Sequence, residues 1–300
     1  MRFNYLEPQT IQEAVSLLVK YQSMAKVIAG GTDLLNQIRL KMIKPEYIVD
    51  IGYIPGLDYI KYDSKGRLSL GALATIRSLE LSVEIQRNHP VISQAASLIG
   101  SMAIRNVGTV GGNLCHASPS AETAPSLIGL EAKVKVVGPD GERTIPLEKF
   151  FKGPGQTVLQ AGEFMIDIQV PPMPPDSRGI YLKHTNRGTV NPAIVGVAAI
   201  VAMDGERCKE IKLVLGAVAP TPIRVKKAEE ILNGKKIDGS LIEKAAQAAS
   251  DESSPITDVR ASADYRKEMV KVFTRYALKN GINPLSESYC TVKNDKVGTS

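Results

Sequence analysis

Tryptophan is absent from the 300-residue chain, and aromatic residues make up only 5% of it. Single-stranded nucleic acids are bound on aromatic stacking platforms, so a nucleic-acid role loses ground. Cysteine is scarce: Cys115, Cys208 and Cys290 lie far apart. No CxxC spacing exists, so neither a thiolate metal site nor a disulfide framework is expected, and a reducing compartment fits. An iron–sulfur cluster usually takes about four cysteine ligands, which this chain cannot supply alone. No apolar run reaches the roughly 18–20 residues that span a bilayer. The opening MRFNYLEPQT lacks the basic-then-apolar pattern of a secretion signal. A cytoplasmic protein with no transmembrane segment is the expectation. Two phosphate-binding signatures are also missing, GxGxxG and the P-loop GxxxxGK, which removes the Rossmann and P-loop readings.

What is present is an ordinary globular balance, 43% hydrophobic and 23% charged, in a chain long enough for two domains. The net charge of +6 is spread along the chain rather than blocked. A scattered excess marks a solvated surface, and it also suits an anionic cofactor or an acidic partner.

Thr10-x-x-Glu13 is a capping box that opens a helix with Ile11, Ala14, Val15 and Leu18 on one face. Short strands are predicted at 26–29, 48–51 and 67–71, and helical segments at 76–86 and 91–100. A hairpin follows, 132–137 and 143–145 about Pro139-Asp140-Gly141, then a strand at 164–170. Met173 to Ser177 reads as a linker. Beyond it come strands at 180–183, 193–203 and 211–216, three helices at 224–232, 241–249 and 263–278, and a polar tail from Thr291 that is expected to be disordered. Strands and helices mix without a steady βα rhythm, which predicts α+β.

Two glycine segments carry the chemistry. Gly30-Gly31-Thr32-Asp33 follows a strand and precedes a helix, which Asp33 is placed to cap. Glycine admits positive φ and close approach, and successive N–H groups in such a turn form a nest for an anion such as a diphosphate. Gly108-Thr109-Val110-Gly111-Gly112-Asn113 repeats that logic, with a hydroxyl and an amide added. Taken singly, either segment reads most simply as a turn. Together they are placed to grip one dinucleotide from two sides.

The residues around these segments resemble a known family. Val27 to Leu34 looks like the first FAD loop of molybdenum hydroxylase flavoprotein subunits, of the xanthine dehydrogenase and aerobic CO dehydrogenase type. Arg105 to Asn113, running on to Ala117-Ser118-Pro119 and Ala121-Glu122, looks like the second. Tyr181 to Arg187, Ala193 to Ala199, Ala219 to Arg224, and Asp258 to Ser262 with Tyr265-Arg266 extend the resemblance over nearly the whole chain.

The resemblance implies an α+β fold: a two-lobed vanillyl-oxidase-like (PCMH-type) FAD-binding domain at 1–173, with lobes about 1–56 and 57–173. A C-terminal domain of three strands and helices at 178–285 and a tail at 286–300 would follow. It implies that Ile28, Ala29, Gly30, Gly31, Thr32, Asp33 and Leu34, with Thr109, Val110, Gly111, Gly112 and Asn113, wrap the FAD diphosphate and ribose. Ile99 and Ile166 fall at apolar FAD contacts, and Lys183 matches a lysine near the flavin ring. Glu122 stands where relatives usually carry aspartate, one methylene shorter. Asn191 and Pro192 depart from the family, where several relatives have an Asp-rich turn and an apolar or aromatic side chain over the flavin; Pro192 is a rigid ring in that place. The scattered cysteines exclude the branch with a cysteine-rich iron–sulfur insertion, the 4-hydroxybenzoyl-CoA reductase type.

The implied role is an electron-transfer subunit of a heterotrimer or a dimer of heterotrimers. A molybdenum-cofactor large subunit and an iron–sulfur small subunit would be its partners, and NAD, a quinone or another acceptor would take the electrons. No catalytic side chain and no metal ligand are expected on this chain. The adjacent Cys115 and His116 read as packing residues, because neighbours in sequence rarely face each other as a catalytic pair must. His184, beside Lys183 on a strand, is expected on the opposite face, toward solvent or an interface. His89, before Pro90, reads as a helix boundary. Arg224, Lys226, Lys227, Glu229 and Glu230 read as a solvated helix face. Two rival readings are a self-sufficient flavin oxidoreductase on the same fold and a non-enzymatic nucleotide-binding module.

Overall fold

The computed structural model describes residues 2–282 except 187 and 189. Cys290, Arg187 and the polar tail therefore lie outside the described residues.

The chain is α+β. A small parallel sheet comes first, ordered Asn4–Leu6, Tyr47–Asp50, Ala25–Ile28. Helix Ile11–Tyr21 covers it with Ala14 and Leu18. Thr10 caps this helix by accepting from Glu13 N, while the Glu13 carboxylate reaches back to Gln9 N rather than to Thr10. Next is a five-stranded antiparallel sheet, ordered Ile60–Tyr62, Leu68–Gly71, Phe164–Val170, Lys133–Gly138, Gly141–Pro146. Short helices pack on it. The segment read as one helix over 76–86 is two, Ile76–Leu81 and Val83–Asn88, because Ser82 ends the first and its hydroxyl caps the second. His89 does stand at a boundary, before helix Pro90–Ser97.

The third sheet is antiparallel, Ser177–His184, Val195–Asp204, Arg207–Gly216, with the two-residue strand Ile223–Arg224 as a fourth member. Its central strand is apolar from Val195 to Ala202 because both faces are covered. Ala198, Ile200, Val214 and Tyr181 join the core built around helices Pro90–Ser97 and Thr123–Gly129. Val197, Ala199 and Val201 face helices Lys226–Leu232, Gly239–Glu252 and Ala263–Ile282. The C-terminal part therefore shares a continuous core with the middle of the chain. Ion pairs Lys212–Glu131 (2.9 Å) and Arg224–Glu131 (3.6 Å) cross the same boundary.

One surface expectation is corrected. Glu229 is buried, its carboxylate holding Arg224 at 2.7 Å and accepting from Leu213 N, so part of that helix face is internal. His184 lies on the face opposite Lys183, half-buried against helix Ala263–Ile282, 2.9 Å from the Tyr265 hydroxyl and beside the Phe273 ring.

Candidate functional site

Both glycine segments meet at one cleft of about 750 Å³, lined from the first sheet, the second sheet and the turn before Val195. That volume falls in the upper part of the roughly 300–1,000 Å³ usual for small-molecule and cofactor sites.

The first segment is a tight turn between strand Ala25–Ile28 and helix Leu34–Arg39. Gly31 has φ +70°, a conformation that favours glycine. Gly30 lies against the backbone of Val107, where a Cβ would sit 1.9 Å from the carbonyl oxygen. The N–H groups of Gly30, Gly31, Thr32 and Asp33 meet no protein acceptor among the described residues. Asp33 does not cap the helix; its carboxylate lies exposed, 3.7 Å from His116 Nε2.

The second segment is built differently from the nest read in the sequence. Val110–Cys115 is helical and Thr109 is its cap, accepting from Gly112 N at 3.0 Å. Val110 N donates to Ala74 O and Gly111 N to Ala72 O, both at 2.9 Å. Asn113 N donates to Thr109 O. The amides of Val110 to Asn113 are therefore spent inside the protein. Gly111 lets the helix approach the sheet, since a Cβ there would lie 2.7 Å from Ala72 O. Thr123, fully buried, donates its hydroxyl to Asn113 Oδ1 at 2.5 Å, which leaves the amide nitrogen for the cleft.

Ile28, Ala29, Gly30, Gly31, Thr32, Asp33, Leu34, Ile99, Thr109, Gly111, Gly112, Asn113, Glu122 and Pro192 all line the cleft. Three residues do not. Val110 is fully buried in the main core. Ile166 points into the apolar cluster beneath the first sheet, beside a register shift in its strand, while Phe164 and Met165 line the cleft. Lys183 stands behind the wall: its ammonium is 2.8 Å from Glu122 Oε1 and donates to Leu98 O at 2.7 Å. Both side chains of this pair are under a tenth exposed. Burial lifts the Glu122 carboxyl above its usual range, and Lys183 pulls the other way. Burial pushes the Cys115 thiol up to about 12, which removes it as a nucleophile at neutral pH.

The sequence reading passed over Ala72, Leu73 and Ile76 as lining residues. Their signal was the turn that follows strand Leu68–Gly71, which carries no chemistry in its residue types.

A family model for the FAD-binding domain in molybdopterin dehydrogenase matches residues 1–173, and one for the CO dehydrogenase flavoprotein C-terminal domain matches 180–280. The chain belongs to the FAD-binding medium-subunit family of the molybdenum hydroxylases. Among relatives in this medium-subunit family, the carbon monoxide dehydrogenase medium chain of Hydrogenophaga pseudoflava is 34% identical over 277 residues, 92% of this chain and 96% of that one. The xanthine dehydrogenase FAD-binding subunit of Escherichia coli is 30% identical over 280 residues, 93% of this chain and 96% of that one. In structure, carbon monoxide dehydrogenase from Hydrogenophaga pseudoflava matches with a TM-score of 0.91, covering 94% of this chain and 97% of that chain at 34% identity. Quinoline 2-oxidoreductase from Pseudomonas putida 86 matches at 0.89 and 28% identity, covering 94% and 97%. The fold of this medium subunit is therefore the two-lobed FAD-binding domain with its C-terminal domain, and its cofactor is FAD.

The donor set fits that cofactor. N–H groups at Gly30 to Asp33 that meet no acceptor among the described residues suit a diphosphate, and Gly30 and Gly111 let the two segments pack closely on the Val107 and Ala72 backbone, which brings both to the cleft. The apolar Ile99, Leu73 and Phe164 suit a flat ring system.

Proposed function

We propose that this chain is the electron-transfer subunit of a multi-subunit molybdenum hydroxylase. Its cleft holds FAD with the diphosphate on Gly30 to Asp33 and the ribose side near Thr109, Gly112 and Asn113. In this reading the FAD-binding domain spans about 1–173 and the C-terminal domain starts near 178. A molybdenum-cofactor subunit oxidises the substrate, and an iron–sulfur subunit delivers the electrons. The acceptor is NAD, a quinone or a similar small oxidant, and the complex works in the cytoplasm. Among the described residues no helix is long and apolar enough to cross a membrane.

FAD supplies the redox chemistry; the protein supplies its position and electrostatics. The N–H groups of Gly30 to Asp33 would offset phosphate charge. Thr123 fixes Asn113 so that its amide donates into the cleft. The buried Glu122–Lys183 pair presents a carboxylate, rather than a bare ammonium, to the cleft and cancels most of its own charge. Val190 and Pro192 line one side of the cleft.

The observation that carries the reading is the run of four N–H groups with no acceptor among the described residues, set in a cleft of cofactor size. The relatives' names as medium chains and FAD-binding subunits support a place within a larger complex. The test is the visible spectrum of the purified chain with its released cofactor identified, followed by co-purification with subunits that carry molybdenum and iron–sulfur centres. Near-stoichiometric FAD with capture of both partners is the expected result. A folded chain that stays colourless after added FAD would overturn the cofactor assignment. A yellow chain that oxidises a substrate unaided would overturn the subunit role in favour of a stand-alone flavoenzyme.

A further inference from the structure

Among the described residues Arg266 is the largest fully buried side chain, on helix Ala263–Ile282, far along the chain from either glycine segment. Its guanidinium donates to Asp258 Oδ1 at 2.7 Å, to Ile194 O at 2.9 Å and to Ala217 O at 3.3 Å. Its Nε is buried without an acceptor among the described residues. Burying an arginine is costly, and filling the space with apolar atoms is often neutral or better for stability. What the arginine adds is a rigid fork that holds several acceptors in fixed relation.

The two carbonyls it holds lead directly to the cleft. Ala217 has φ +64°, unusual for a residue with a side chain, and its N–H donates to Pro119 O at 2.7 Å. Pro119 sits between Ser118 and Ser120, which line the cleft. Ile194 follows Ala193, whose carbonyl accepts from the Ser120 hydroxyl at 3.2 Å, and Pro192 just before it lines the cleft. One guanidinium therefore fixes the distance between the Ser118–Glu122 wall and the turn that ends at Pro192.

We propose that Arg266, oriented by Asp258, is a positioning residue for FAD: it makes the C-terminal domain a brace that sets the width of the cofactor cleft. This rests on the cleft being the seat of FAD, which titration of the parent chain tests by itself. It also gives the Asp258 to Arg266 stretch a task that packing alone does not.

The experiment compares the full parent chain with Arg266→Lys and Asp258→Asn. Hydrogen exchange is measured first without FAD, then FAD affinity by quenching of flavin fluorescence. Lysine keeps the charge but loses the fork, so FAD affinity should fall about tenfold. Without FAD, exchange should quicken in 117–122 and 190–196 and stay at the parent rate in strands Leu68–Gly71 and Phe164–Val170. Asp258→Asn, an isosteric change at a partly exposed site, should show the same pattern more weakly, and decides the matter should Arg266→Lys not fold. FAD affinity within about twofold of the parent, with no local change at the two wall segments, would overturn the proposal. So would quickened exchange throughout the C-terminal domain with affinity kept, which is what a purely structural role gives.

Discussion

Gly30 and Val107 meet backbone to backbone: a Cβ on Gly30 would lie 1.9 Å from the Val107 carbonyl oxygen. This contact joins the first glycine segment to the helix leading into the second, so the cleft depends on it. Gly111 is tight in the same sense, 2.7 Å from Ala72 O, whereas a Cβ on Gly112 would meet only the Thr109 hydroxyl at 2.9 Å. Backbone cannot move as a side-chain hydroxyl can. The expected order of FAD loss is therefore Gly30→Ala, then Gly111→Ala, then Gly112→Ala, read as flavin absorbance per protein. Equal loss in all three, or the greatest loss at Gly112, would contradict this account of the cleft.

The Glu122–Lys183 pair predicts a strong non-additivity. Each side chain is under a tenth exposed and they are 2.8 Å apart. Removing one partner takes away the other's close counter-charge in a buried place, which costs on the order of 3–5 kcal/mol, while removing both is far milder. Lys183→Met and Glu122→Gln should each lower the urea stability of the FAD-free chain. The double variant should be more stable than their sum predicts by at least about 2 kcal/mol. Additive effects would mean that the two charges are solvated and do not lean on each other.

Much of this site was legible in the sequence, and the gaps have physical causes. Gly30 and Gly31 announce a turn after an apolar strand, and their residue type carries the message. The second segment has the same composition but a different use, because its amides are consumed by Ala72 and Ala74 carbonyls from another part of the chain. No local pattern reveals such a pairing. Ile166 fails for a related reason: a register shift between Met165 and Asp167 decides which side chains of that strand reach the cleft. Lys183 was placed near the flavin ring by its match to a family lysine, and a match of residue type does not give a side chain's partner; here its ammonium is held by Glu122, which lines the cleft. The apolar run from Val195 to Ala202 did signal a buried strand. That its two faces serve two different cores follows only from where Tyr181 and Phe273 end up.

Thr123 and Asn113 predict a discriminating pair of variants. The Thr123 hydroxyl donates to Asn113 Oδ1 at 2.5 Å and is fully buried. Thr123→Val keeps the shape and removes the bond, worth about 0.5–1.5 kcal/mol, so FAD affinity should weaken by roughly two- to tenfold. Thr123→Ser keeps the hydroxyl and should bind FAD nearly as the parent does. Equal affinity in the valine variant would show that Asn113 needs no such anchor.

Two histidines give the fold an acid-sensitive margin. His89 is buried, with its Nε2 donating to Pro171 O and its Nδ1 accepting from the Tyr62 hydroxyl, both at 2.9 Å. Burial lowers its pKa below the usual 6.5, only partly countered by the Pro171 carbonyl, and burial lowers that of His184 likewise. The neutral ring is the folded form, while the unfolded chain takes up a proton near 6.5. Stability contributed by each site is thus complete above that pH and is lost as pH falls below it. The urea midpoint of the FAD-free chain should drop between pH 7.5 and pH 5.5. His89→Gln, whose amide offers NH2 donors and a carbonyl acceptor and takes up no proton in this range, should flatten part of that drop. A slope unchanged in His89→Gln would assign the acid sensitivity elsewhere, and His184→Gln, tested beside it, would then have to carry the whole effect.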